Sequence, residues 1–146
     1  MSVSQRRLRT RPSTFTNPVY PEYFADPYVL AHEGTYWAYG TGPSHGIEDA
    51  RVFQILRSDD LAHWTPAGRA LERLAAPTPG TYWAPEVVED RGIFYMYYSV
   101  GVEDRGHAIR VATADRPGGP FLDSGQVLTP NERFAIDAHP FRDIDG

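Results

Sequence analysis

Along most of this chain apolar and polar residues alternate in short runs, broken by Gly, Pro, Asp and Asn. A period of two turns successive side chains to opposite faces, the pattern of half-buried strands. Residues 28–31 read as a short apolar strand, 32–35 as a turn, and 36–41, rich in aromatic and small residues, as its returning partner. A loop, GPSHGIEDA, leads to a third strand, RVFQILRS. SDDLAHWTPAGRAL then reads as a turn and an outer strand, with Pro66 suited to a sheet edge. Residues 70–76 fit a short helix that Pro77 and Pro79 close.

The pattern then restarts. WAPEVVEDRGIFYMYYSVG repeats the first hairpin, with a carboxylate, valines, a Gly turn and a Tyr-rich strand. HAIRVATADRPGGPFLDSGQVL repeats the second, and AIDAHPFRDIDG opens a third unit. The turn glycines Gly34, Gly92 and Gly146 lie 58 and then 54 residues apart, and the opening acids Asp26, Glu86 and Asp137 lie 60 and then 51 apart. A four-strand unit recurring at roughly 50 residues is the signature of a β-propeller blade. A β-sandwich gives turn signals at shorter intervals and need not restart on the same residue type.

Composition narrows the function. Thirteen Gly, thirteen Pro and 13% aromatic residues suit strands and turns. A net charge of −5 argues against non-specific nucleic-acid binding, which needs a basic surface. Without cysteine there are no disulfides and no thiolate chemistry. No stretch is long and apolar enough to cross a membrane as a helix. Arg6-Arg7 lacks the hydrophobic segment of a twin-arginine signal, so residues 1–16 read as a flexible arm and residues 17–146 as the domain, with a cytoplasmic setting expected. His32, His45, His63, His107 and His139 are scattered, with no i, i+4 zinc pair, and no metal or cofactor is expected.

In a propeller the first strand of each blade lines the central channel. Asp26, Glu86 and Asp137 are therefore expected to converge on one end of it. Carboxylates that converge in an enclosed site repel one another and are desolvated, which separates their titrations. Separated acids serve general acid and base chemistry, and glycoside hydrolysis uses such a pair. Trp83 and Tyr28, beside the acids, offer ring faces for a sugar to stack on. His139 shares a strand face with Asp137 and is a candidate for a sugar hydroxyl.

These segments together resemble glycoside hydrolase family 43. NPVYPEYFADPYVL followed by GTYWAYGTG looks like the start of its catalytic domain, and WAPEVVEDRGIFYMYYS like its second-blade motif. AIDAHPFRDIDG is similar to its third-blade opening, with Ala138 where Pro is common, and SDDLAHW matches a recurring blade feature. The resemblance implies a five-bladed β-propeller hydrolysing arabinose- or xylose-containing glycans with inversion. It implies that Asp26 is the general base and that Asp137 orients the general acid and tunes its pKa. Glu86 is expected to contact substrate or neighbours, with Tyr28, Trp83 and His139 at the sugar.

The family's acid is a Glu in a later blade, beyond Gly146, and Glu132 sits in a loop ahead of the third motif. The chain is thus expected to hold about two blades and the start of a third. It reads as the N-terminal part of a longer enzyme, inactive alone, with exposed strand edges open to pairing. Three alternatives are a non-catalytic carbohydrate-binding propeller, a retaining fructosidase-like five-bladed propeller, and a protein-interaction propeller.

Overall fold

The computed structural model describes residues 14–43, 51–75 and 80–145, and every regular element among them is a strand. The strands are β1 (Ala25–His32), β2 (Thr35–Thr41), β3 (Arg51–Ser58), β4 (Thr65–Glu72), β5 (Thr81–Asp90), β6 (Ile93–Val102), β7 (Arg105–Ala114) and β8 (Leu122–Val127). They form two antiparallel four-stranded sheets in sequence order, β1–β4 and β5–β8. Each sheet is one blade. Residues 1–13 of the expected arm, His45 with most of its loop, Ala76 and Gly146 lie outside the described residues.

Local chemistry sets the first hairpin of each blade. Glu33 and Gly34 turn β1 into β2 with φ of 48° and 79°, and Arg91 and Gly92 turn β5 into β6 with 53° and 81°. Two consecutive positive φ values match the twist of the flanking strands, and Gly in the second position reaches them without strain.

Ala70, Leu71 and Glu72, expected in a short helix, instead belong to β4. The Ala70 carbonyl accepts the Phe121 N–H at 2.8 Å, and Leu71 bridges Phe121 from the other blade. Helix would withdraw Leu71, which is fully buried, from the core. Tertiary pairing overrides the weak local propensity here.

The core lies between the blades. Tyr39, Phe53, Ile55 and Leu71 of the first face Tyr82, Val87, Phe94, Met96 and Tyr98 of the second, with Phe121 closing one side. Phe53 meets Tyr82 and Tyr98 edge-on, at 6.1 and 5.7 Å between ring centroids. The Tyr39 hydroxyl, buried in this layer, donates to the Pro117 carbonyl at 2.8 Å.

One irregularity is repeated. In the first blade Ala25 opposes Thr41 and Tyr28 opposes Tyr39, leaving one extra residue in β1. In the second, Trp83 opposes Ser99 and Glu86 opposes Tyr97, with the same surplus in β5. The matched bulges make Asp26 the counterpart of Ala84, Tyr28 of Glu86, and Thr41 of Ser99. Asp26 and Ala84 share a left-handed backbone, with φ of 48° and 46°. Asp137, opening the third unit, has φ of 58°.

Candidate functional site

The bulge fixes which side chains open each blade. A bulge adds one unpaired residue to a strand and bends it, and so re-aims a side chain at its rim. Asp tolerates the left-handed conformation better than most residues, because its short polar side chain can bond locally. At Asp26 that bond comes from across the hairpin: the Thr41 hydroxyl donates to Oδ2 at 2.9 Å. The same Thr41 oxygen accepts the N–H of Ala84 at 2.9 Å. Thr41 is 4% exposed, so this three-member chain is shielded from water along its middle. It ties the carboxylate of one blade to the bulge of the next.

The acids do not occupy equivalent positions as their spacing suggested. Asp26 and Asp137 sit on left-handed residues, whereas the second blade has Ala84 there and Glu86 stands two residues further in. The recurrence between bulges is 58 residues, the interval of the turn glycines. Glu86 shares its position with Tyr28, and His139 stands at the same offset past Asp137. Glu86 and His139 meet, with Oε2 and Nδ1 2.7 Å apart. The Tyr28 hydroxyl is pushed up in pKa, first by burial and then by the Glu86 charge. Tyr28, Glu86 and His139 therefore form one run of neighbours across three units. Asp26, on the bulge of β1, and Asp137, a left-handed residue outside the strands, are both exposed.

Trp83 stacks on His107, with ring centroids 3.7 Å apart and planes 20° from parallel. His107 is fully buried, and Phe134 covers it from the side at 5.6 Å. Its Nε2 lies 2.8 Å from the Glu103 carbonyl. A carbonyl only accepts, so Nε2 is the donor of this bond. Gly101 makes room for this ring: a Cβ there would fall 2.5 Å from both His107 Cδ2 and the Arg105 carbonyl. One face of Trp83 is thereby fixed.

Sequence reasoning missed Thr41, Ser99 and His107 as parts of this site. A signal existed for two of them. In each repeat a hydroxyl residue stands seven positions after the turn glycine, Thr41 after Gly34 and Ser99 after Gly92. For His107 there was none, because its contacts are made across the fold.

A four-stranded meander repeated with the same bulge at the head of each inner strand defines a β-propeller, here in the part that carries its first two blades. The chain belongs to the glycosyl hydrolases family 43, whose family profile matches residues 15–146. It is 31% identical to the β-D-galactofuranosidase xynD of Aspergillus niger, over all of this chain and 48% of that protein. It is 33% identical to a probable arabinan endo-1,5-α-L-arabinosidase B of Aspergillus oryzae, over 82% of this chain and 33% of that one. Among solved structures it matches a thermostable family-43 glycoside hydrolase at 35% identity and a TM-score of 0.71, over 91% of this chain and 42% of that one. A β-xylosidase/α-arabinofuranosidase from a compost microbial metagenome matches at 25% identity and a TM-score of 0.73, over 91% of this chain and 43% of that one. The chain thus spans less than half the length of these relatives.

Proposed function

We propose that the protein is an inverting glycoside hydrolase acting on arabinose- or xylose-containing oligosaccharides, and that this chain supplies the base side of its site. The observation that carries the proposal is Asp26, exposed on a left-handed bulge at the head of the first blade and held by Thr41. A carboxylate fixed on one oxygen keeps the other free for a water molecule. Asp26 takes a proton from that water as its oxygen bonds to the anomeric carbon. The glycosidic oxygen leaves with a proton from a general acid that family resemblance puts in a later blade. Asp137 orients that acid.

Trp83, backed by His107, offers a flat apolar face to the C–H side of a sugar ring. His139 commits Nδ1 to Glu86 and leaves Nε2 for a sugar hydroxyl, with Tyr28 beside the pair. Relatives that differ in the sugar they are named for support the reaction class more firmly than any one sugar. Membership of family 43 favours this reading over the fructoside-acting propellers.

The test is Asp26→Asn in the full-length protein, assayed on aryl arabinofuranoside and xyloside. Turnover is expected to fall by a factor of about 10²–10⁴, the usual worth of a general base, with KM little changed. Proton NMR of the first product should show the inverted anomer. Near-normal turnover in Asp26→Asn removes Asp26 from the mechanism, and a retained anomer removes the inverting assignment.

A further inference from the structure

We propose that Glu86 is a positioning residue for His139: it holds the ring proton on Nδ1, so that Nε2 meets the substrate as a hydrogen-bond acceptor and selects a sugar with a free hydroxyl at that point. Glu86 Oε2 and His139 Nδ1 stand 2.7 Å apart, within the range of a charge-assisted bond. A carboxylate only accepts, so Nδ1 donates. A neutral imidazole carries one proton, and with Nδ1 holding it Nε2 is left with a lone pair. The choice of substrate rests on the glycosidase reading, whereas the place of the proton rests on the pair alone.

The surroundings favour this pairing. Glu86 is anchored in β5 opposite Tyr97, and its side chain is 24% exposed. His139 lies outside the strands, with its side chain 70% exposed. The segment that carries it is tied to the second blade on both sides: the Ala135 N–H donates to the His107 carbonyl at 2.9 Å, and Arg142 pairs with Asp90. Arg142 thus has its own acid and leaves Glu86 to the imidazole. Tyr28, the neighbour from the first blade, is kept in its neutral hydroxyl form, first by burial and then by the Glu86 charge, and adds no second charge.

A bare Nε2 reads its ligand by polarity. A hydroxyl turns its proton toward it, whereas an ether or ester oxygen brings none and sets lone pair against lone pair. A site built to bond a hydroxyl rejects analogues that lack it, because its own polar atom is then covered and unpaired. The sugar taken at His139 is therefore one whose hydroxyl there is neither glycosylated nor acylated. Without Glu86 the proton is free to move to Nε2; the ring then donates, and that discrimination is lost.

The experiment uses full-length protein, isotope-labelled at its histidine ring nitrogens, at about pH 8.5, above the ordinary imidazole value of about 6.5. Long-range proton–nitrogen NMR spectra tell a protonated ring nitrogen from a bare one, and the signals lost in His139→Gln assign the ring. His139 should be protonated on Nδ1 alone in wild type and in Glu86→Gln, whose amide oxygen accepts the same proton. In Glu86→Ala the proton should shift toward Nε2. A wild-type ring protonated on Nε2, alone or together with Nδ1, overturns the proposal and needs no Glu86 variant; an unchanged ring in Glu86→Ala overturns it too. Aryl arabinofuranosides and xylosides with one hydroxyl at a time replaced by hydrogen read the substrate side. At one position the replacement should lower kcat/KM by about tenfold in wild type, the worth of one hydrogen bond, and leave it nearly unchanged in His139→Phe. Equal penalties in the two proteins at every position overturn the acceptor role. If none of the parent glycosides is hydrolysed, the glycosidase reading fails, and the spectra still decide the role of Glu86.

Discussion

Asp26 heads the first blade where Ala84 heads the second, and Tyr28 stands where Glu86 does, although both strands carry the same bulge and the same register. The backbone supplies a repeated set of slots and the sequence fills each set separately. The same holds away from the channel. Gly40 and Tyr98 are counterparts, as are Gln54 and Arg110. A Cβ on Gly40 would lie 2.7–2.8 Å from the Phe24 ring, so the glycine admits the segment ahead of β1, and Gln54 hydrogen-bonds Tyr20 of that segment. In the second blade Tyr98 fills the space itself and donates to Asp123 at 2.5 Å, while Arg110 grips the same carboxylate through two nitrogens at 3.0 and 2.6 Å. The first blade is finished by a neighbouring segment, the second by its own outer strand.

The largest break in this comparison is expected at Asp123. Its side chain is 10% exposed and that of Arg110 is 16%. Burial pushes the Asp123 carboxyl up, but the bonds from Arg110, Tyr98 and the Gly125 amide outweigh it and hold the group below the usual carboxylate range. Asp123→Ala leaves a buried guanidinium unpaired and is expected to cost about 3–5 kcal/mol, measured by chemical denaturation. Gln54→Ala in the first blade removes one hydrogen bond between uncharged groups and is expected to cost about 0.5–1.5 kcal/mol. Equal losses would mean that the two slots are energetically alike.

The link between the blades comes next. Thr41→Val keeps the shape of the side chain and removes the oxygen, leaving the Ala84 N–H without its acceptor and Asp26 without its donor. The expected loss is about 1–3 kcal/mol of stability, together with a fall in kcat. Thr41→Ser, which copies the second blade, should recover most of both. Recovery of stability without recovery of kcat would show that the threonine methyl also positions Asp26.

How much of this was legible in the sequence follows from the range of the forces involved. Strands set by alternation and by glycine turns were readable: RVFQILRS is β3, and the turns at Gly34 and Gly92 fall where their dipeptides put them. The failure at Ala70 and Leu71 has a plain cause, since Phe121, fifty residues away, decides their conformation. The site was legible as a set of motifs and not as a register. Counting from acid to acid placed Glu86 with Asp26. The bulge, invisible in composition, pairs Asp26 with Ala84 and gives Glu86 to His139. The Trp83–His107 stack depends on a ring fitted over Gly101, and no local pattern announces it.

The smallest effect separates the turns that close the two outer hairpins. In the second blade Arg116 Nε donates to the Gly119 carbonyl at 2.6 Å. In the first, Asp60 organises the turn: its Oδ1 accepts the N–H groups of Ala62 and His63 at 2.9 and 2.8 Å, and its Oδ2 meets His63 Nδ1 at 2.7 Å. The His63 ring, and then the backbone amides of His63 and Ala62, hold the Asp60 carboxyl well below the usual carboxylate range. A carboxyl lowered in the folded state stabilises fully above its unfolded value, about 3.9, and the stabilisation is lost as pH falls below that value toward the folded one. Asp60→Asn should therefore melt below wild type at pH 6–7, by less than Gln54→Ala because the turn is exposed to solvent. The gap should narrow as pH drops below about 4. A gap that stays constant from pH 7 to pH 3 would mean that Asp60 acts by its shape and not by its charge, and would make the two outer turns equivalent after all.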